Sequence, residues 1–78
     1  MDVKICMEKI DQIKIGERIK GLRKESGLTQ KELADKINLS QNMVSSLEKG
    51  VSTMSIKTLI QLCSVFKCSA DYILGFED

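Results

Sequence analysis

Seventy-eight residues, 42% apolar and 29% charged with a formal net charge of +1, are enough for one small domain and too balanced in charge to announce a polyanionic partner on that ground alone. Three cysteines, Cys6, Cys63 and Cys68, with no CxxC pair and no histidine, exclude the usual zinc frameworks and leave no disulfide scaffold, so neither a metal nor a cofactor is expected. No apolar run approaches the ~18 residues of a membrane span, and the N-terminus mixes charge with apolar residues unlike a signal peptide; a cytoplasmic protein with no membrane partner is expected.

There is no proline, and the aromatic residues are Phe66, Tyr72 and Phe76. Apolar spacing is helical almost throughout, so the fold class is all-α. Residues 1–14 form an N-terminal extension. Val3, Met7, Ile10 and Ile13 or Lys14 fit one helix face, whereas Val3, Ile5 and Met7 fit a strand. Four matches over eleven residues against three over five favour an added amphipathic helix, with a frayed terminus as its rival.

Residues 15–78 read as the folded domain. A first helix spans about Gly16 to Ser26, with Ile19, Leu22 and Arg23 on one side and Gly27 at the left-handed stop. Thr29 followed by Glu32 is a capping box for a second helix, whose inner face is Leu33, Ala34 and Ile37. Asn38 tolerates the positive φ that ends it, and Leu39 plugs the turn. Ser40 caps a third helix that stops near Lys49, before Gly50. Ser55 caps a fourth, with Ile56, Leu59, Leu62, Cys63 and Phe66 as its stripe. Ser69 opens a short fifth helix with Tyr72, Ile73 and Leu74, closed by Gly75. Independent start and stop signals that agree in this way are stronger than any one of them.

The second and third helices, joined by a tight turn, have the layout of a helix-turn-helix. At 100° per residue, Val44 and Leu47 share one side of the third helix and act as core anchors. Asn42, Ser46 and Lys49 share the other, flanked by Gln41 and Ser45. Gln41 and Asn42 stand at the end that usually enters the major groove, and their amides donate and accept together, as adenine N6 and N7 require. Ser45 and Ser46 are short enough for close approach, and the Ser46 hydroxyl suits either base pair. These four are the candidate base-contacting residues. Met43 lies at the margin, where half-burial outweighs contact with a thymine methyl. Solvation is the ordinary fate of a polar helix face, but the preceding helix and turn raise the odds of a reading face. Gln30, at the first position of the second helix, and Lys49, Ser52 and Thr53, after the third, are candidate phosphate contacts that position without reading sequence. Basic residues concentrate at Lys14, Arg18, Lys20, Arg23, Lys24 and Lys31. A solvated helix face would look the same.

Ile15-Gly-Glu-Arg-Ile-Lys-Gly-Leu-Arg-Lys-Glu-Ser-Gly-Leu-Thr-Gln-Lys-Glu-Leu-Ala, Leu47-Glu-Lys-Gly and Ser69-Ala-Asp-Tyr-Ile-Leu-Gly together resemble the lambda-repressor-like, or Xre-type, helix-turn-helix family. The resemblance spans residues 15–75. It implies five helices, dimeric binding to inverted-repeat operators in double-stranded DNA, and transcriptional regulation. By position it makes Gln30 a phosphate contact, makes Gln41, Asn42, Ser45 and Ser46 base contacts, and puts Arg23 and Glu48 where some members form a buried ion pair. Two places depart from the family pattern. Val51-Ser52-Thr53-Met54 replaces a loop that usually carries basic residues and a proline, and Lys67 stands where glycine is common.

The resulting expectation is a homodimeric DNA-binding repressor rather than an enzyme, for which no nucleophile–base pair stands out. The alternative is a protein-interaction or antitoxin-like module of the same fold with weak DNA binding, which the near-neutral charge and the non-basic loop favour.

Overall fold

The computed structural model describes residues 11–76, and within them the fold is five helices. They are α1 (Gln12–Glu25), α2 (Gln30–Lys36), α3 (Gln41–Lys49), α4 (Ile56–Phe66) and α5 (Ala70–Leu74). The expected caps of α2 to α5 are in place. The hydroxyls of Thr29, Ser40, Ser55 and Ser69 accept from the N–H groups of Glu32, Met43, Thr58 and Tyr72, each satisfying a donor that the helix start would otherwise leave open. At α2 the Glu32 carboxylate also accepts from the Thr29 N–H at 2.8 Å, completing the capping box.

The first helix begins earlier than its apolar spacing suggested. Asp11 is its N-cap, its carboxylate accepting from the N–H groups of Ile13 at 2.9 Å and Lys14 at 3.3 Å. Gln12, Ile13 and Lys14 are therefore helical, and the helix crosses the boundary drawn at residues 14 and 15. The questions of helix or strand in residues 1–10, including Val3, Ile5, Met7 and Ile10, and of Cys6, lie outside the described residues.

Ile15, Ile19, Leu33, Ala34, Ile37, Val44, Leu62 and Ile73 form one core drawn from all five helices. Leu22, Leu39, Leu59, Cys63 and Phe66 pack against it while remaining partly exposed. Ile56 does not join the α4 stripe. It is 76% exposed, and Ile60, one turn on, is 62% exposed. Both lie off the line of Leu59, Leu62 and Phe66, and the buried residue of the first turn is Thr58, whose hydroxyl is 3.2 Å from that of Ser55.

Two close approaches fix α3 against α1. A Cβ on Gly16 would lie 2.5 Å from the carbonyl oxygens of both Leu47 and Glu48, so the helices cross at a distance only glycine permits. At the end of α3, Gly50 adopts φ 77°, and a Cβ there would stand 2.7 Å from the Ile13 Cα. The C-terminal half of α3 is thereby seated on the first turns of α1. Between α2 and α3, Asn38 takes φ 57° and Leu39 donates its N–H to the Ala34 carbonyl at 3.0 Å. Lys67 also lies in the left-handed region, at φ 54°. The turn after α4 therefore keeps the backbone that glycine would give, built with a lysine.

Candidate nucleic-acid interface

α3 separates its residues by side. Val44, Leu47 and Glu48 are buried against the domain. Gln41, Asn42 and Lys49 are exposed, and Ser45 and Ser46 are half-buried. Met43 is 40% exposed, in keeping with a marginal place beside the groove lined by Leu39, Met54 and Thr58. The outward side carries two amides and two hydroxyls, with the charge of Lys49 at the far end. After Gly50 the chain folds back. The Ser46 carbonyl accepts from the N–H of Val51 at 3.0 Å and of Ser52 at 3.4 Å, which holds the half-buried Ser52 at the end of α3, with exposed Thr53 following.

The inward side is held by a polar junction. Arg23 of α1 donates to Glu48 of α3 through two nitrogens, Nε to Oε2 at 2.6 Å and Nη2 to Oε1 at 3.2 Å. Both residues are buried. The third guanidinium nitrogen, Nη1, donates to the Leu28 carbonyl at 2.8 Å. Such a two-point pairing is both stronger and more directional than a single contact. Every buried side-chain nitrogen and oxygen among the described residues has a partner, so the junction is fully satisfied.

Gln30 enters the same junction, which sequence reasoning missed. Its Nε2 donates to Glu48 Oε1 at 3.1 Å, and the side chain is half-buried rather than free at a helix end. The capping box meanwhile occupies the N–H groups of Thr29 and Glu32 and places the Glu32 carboxylate beside the start of α2. The hydrogen bonds with Thr29 hold that carboxyl below its ordinary range, so it stays ionised at neutral pH. The side chain of Gln30, rather than the helix end alone, is therefore the distinctive polar group at this place. Eighteen residues separate Gln30 from Glu48, and no local pattern joins them. The one hint in the sequence is that the five donors of a buried arginine need more acceptors than one carboxylate provides, which implies a larger network around Arg23.

A helix-turn-helix family model matches residues 19–73. The chain belongs to the lambda-repressor-like helix-turn-helix family. It is 36% identical over 64 residues to the HTH-type transcriptional regulator ImmR of Bacillus subtilis, covering 82% of this chain and 50% of that protein. It is 43% identical over 65 residues to the HTH-type transcriptional regulator DicA of Escherichia coli, covering 82% of this chain and 48% of that protein. The chain thus spans about half the length of these relatives. Among solved structures it superimposes on the restriction-modification controller protein C.AhdI of Aeromonas hydrophila with a TM-score of 0.75 and 27% identity, covering 81% of this chain and 96% of that one. The all-α five-helix fold expected from the sequence is the fold of these helix-turn-helix proteins. No helix among the described residues is long and apolar enough to cross a membrane.

Proposed function

We propose that this helix-turn-helix protein is a sequence-specific transcriptional regulator that binds double-stranded DNA, acting as a homodimeric repressor on an inverted repeat. The observation that carries the reading is the division of α3. Its apolar and ionic side is fastened to α1 and the core, while Gln41, Asn42, Ser45 and Ser46 face outward from a helix held at a fixed angle to α2. Amides and hydroxyls on such a helix match the donor and acceptor pattern of the major groove. Gln30 before α3 and Lys49, Ser52 and Thr53 after it bracket that face as backbone contacts.

One unit reads only a few base pairs, so two copies spaced about 34 Å apart would read successive major grooves. Exposed Ile56 and Ile60 on α4, and Tyr72 and Phe76 at the C-terminal end, supply apolar surface for pairing outside the two reading helices. The match to proteins named transcriptional regulators agrees with this function.

The test is a gel-shift with duplex DNA from upstream of the gene itself. A retarded band that survives excess random competitor is expected. No band at micromolar protein would overturn the reading in favour of a protein-interaction module on the same fold.

A further inference from the structure

The ion pair between Arg23 and Glu48 accounts for the seat of α3, but not for why Gln30 is drawn into it. A glutamine amide free in solvent presents its oxygen or its nitrogen with equal ease. A DNA phosphate only accepts, so a glutamine that grips one must present nitrogen. Glu48 also only accepts, and its Oε1 lies 3.1 Å from Gln30 Nε2. That bond engages one of the two N–H groups and settles which end of the amide is nitrogen. The second N–H on the same atom stays available.

The negative charge of Glu48 would by itself repel a phosphate brought to the other side of the amide. The guanidinium of Arg23, bonded to both carboxylate oxygens, offsets it. We infer that Glu48 is a positioning residue for DNA-backbone binding: it orients the Gln30 amide so that its second N–H is directed to a phosphate. This deepens, and rests on, the DNA-binding reading above. It makes the backbone contact at α2 and the reading helix α3 one rigid body, because the carboxylate that aims Gln30 is carried by α3 itself.

The test is a double-mutant cycle in the full chain, measured as affinity for a random-sequence duplex over a range of salt. Replacing Glu48 alone would strand Arg23, so the background is the double substitution Arg23→Met/Glu48→Met, in which apolar residues of similar volume replace the buried pair, an exchange that commonly preserves folding. In the natural background Gln30→Met is expected to weaken binding about tenfold, the loss of one hydrogen bond to a charged group. In the Met/Met background, already weakened to a similar degree, Gln30→Met is expected to change binding less than about twofold. None of these substitutions changes the net charge, so the salt slope should be the same in all four proteins, whereas Lys49→Ala should lower it by about 0.9.

Equal losses from Gln30→Met in both backgrounds would overturn the role of Glu48 while leaving DNA binding intact. Failure of the unmodified chain to bind any duplex would overturn both. The unmodified chain gives a second check that does not depend on a variant folding. Side-chain amide relaxation by NMR should show Gln30 rigid before DNA is added and Gln41 mobile, with one Gln30 amide proton shifting downfield on addition of duplex. A Gln30 amide as mobile as that of Gln41 would contradict the inference.

Discussion

At the scale of single residues, Glu48 carries the greatest burden. It is buried on α3 and accepts from Arg23 and Gln30, two side chains on two other helices. Glu48→Ala should cost about 3–5 kcal/mol, because it leaves a buried guanidinium without its counter-charge. Urea or thermal melts read this directly, and an unchanged melting temperature would mean that the arginine finds water or another acceptor. Glu32 offers a smaller effect with a defined pH dependence. Its carboxyl is held below the ordinary range by its hydrogen bonds to the Thr29 backbone and hydroxyl, with Lys36 adding to the shift. A depressed folded-state pKa means that the unfolded chain takes up the proton first. The stabilisation is therefore complete above the usual glutamate range and is lost as pH falls through it to the lower folded value. The stability gap between the natural chain and Glu32→Ala should be constant near neutrality and shrink on acidification below about pH 4.3, the ordinary glutamate value. A gap that does not vary with pH would show that the box acts without its charge.

At the scale of elements, the crossing of α1 and α3 turns on Gly16. An alanine methyl there would meet two carbonyl oxygens at 2.5 Å, both belonging to backbone that cannot swing aside. Gly16→Ala should destabilise by about 1–3 kcal/mol, the usual range for overpacking, and displace α3 relative to α2. Comparison of melting temperature with affinity for specific DNA checks this. An alanine variant with the stability and affinity of the natural chain would mean that the helices separate at no cost.

The legibility of the fold also divides by element. The starts of α2 to α5 were readable because each rests on one hydroxyl and a backbone N–H three positions away. The stop of α2 was readable from Asn38 for the same local reason. The start of α1 was not, because Asp11 and Gln12 precede the apolar repeat that marks the rest of the helix. Ile56 misled because the helix period allows a side chain at the edge of a stripe to face either way, and tertiary packing chose solvent. Among the candidate site residues, the outward side of α3 followed from its own period. The bond from Gln30 to Glu48 depends on how two helices dock, which no local pattern encodes. The glycine-like turn at Lys67 was likewise hidden by a residue that seldom adopts it.

At the scale of the whole molecule, the net charge of +1 gives little long-range attraction to DNA, so the proposed binding rests on placed contacts and on the proposed pairing of two copies. The exposed Ile56 and Ile60 form one apolar row on α4. Sedimentation should show a dimer at high micromolar concentration. Ile56→Lys/Ile60→Lys should shift it toward monomer with little change in melting temperature, since neither side chain fills the core. A natural chain that stays monomeric at that concentration and binds DNA singly would contradict the pairing.

The central claim is that α3 reads sequence, and selection from a pool of randomised duplexes tests it most directly. The natural chain should enrich an inverted repeat whose half-sites lie about 10–10.5 base pairs apart, or a multiple of that. Gln41→Ala, Asn42→Ala and Ser46→Ala should each relax the preference at particular positions, by about 1–3 kcal/mol where a bidentate amide contact of Gln41 or Asn42 is lost and by about 1 kcal/mol for the single Ser46 hydroxyl, while leaving affinity for unrelated sequence nearly unchanged. Enrichment of no sequence, or of the same sequence by all three variants, would contradict the account.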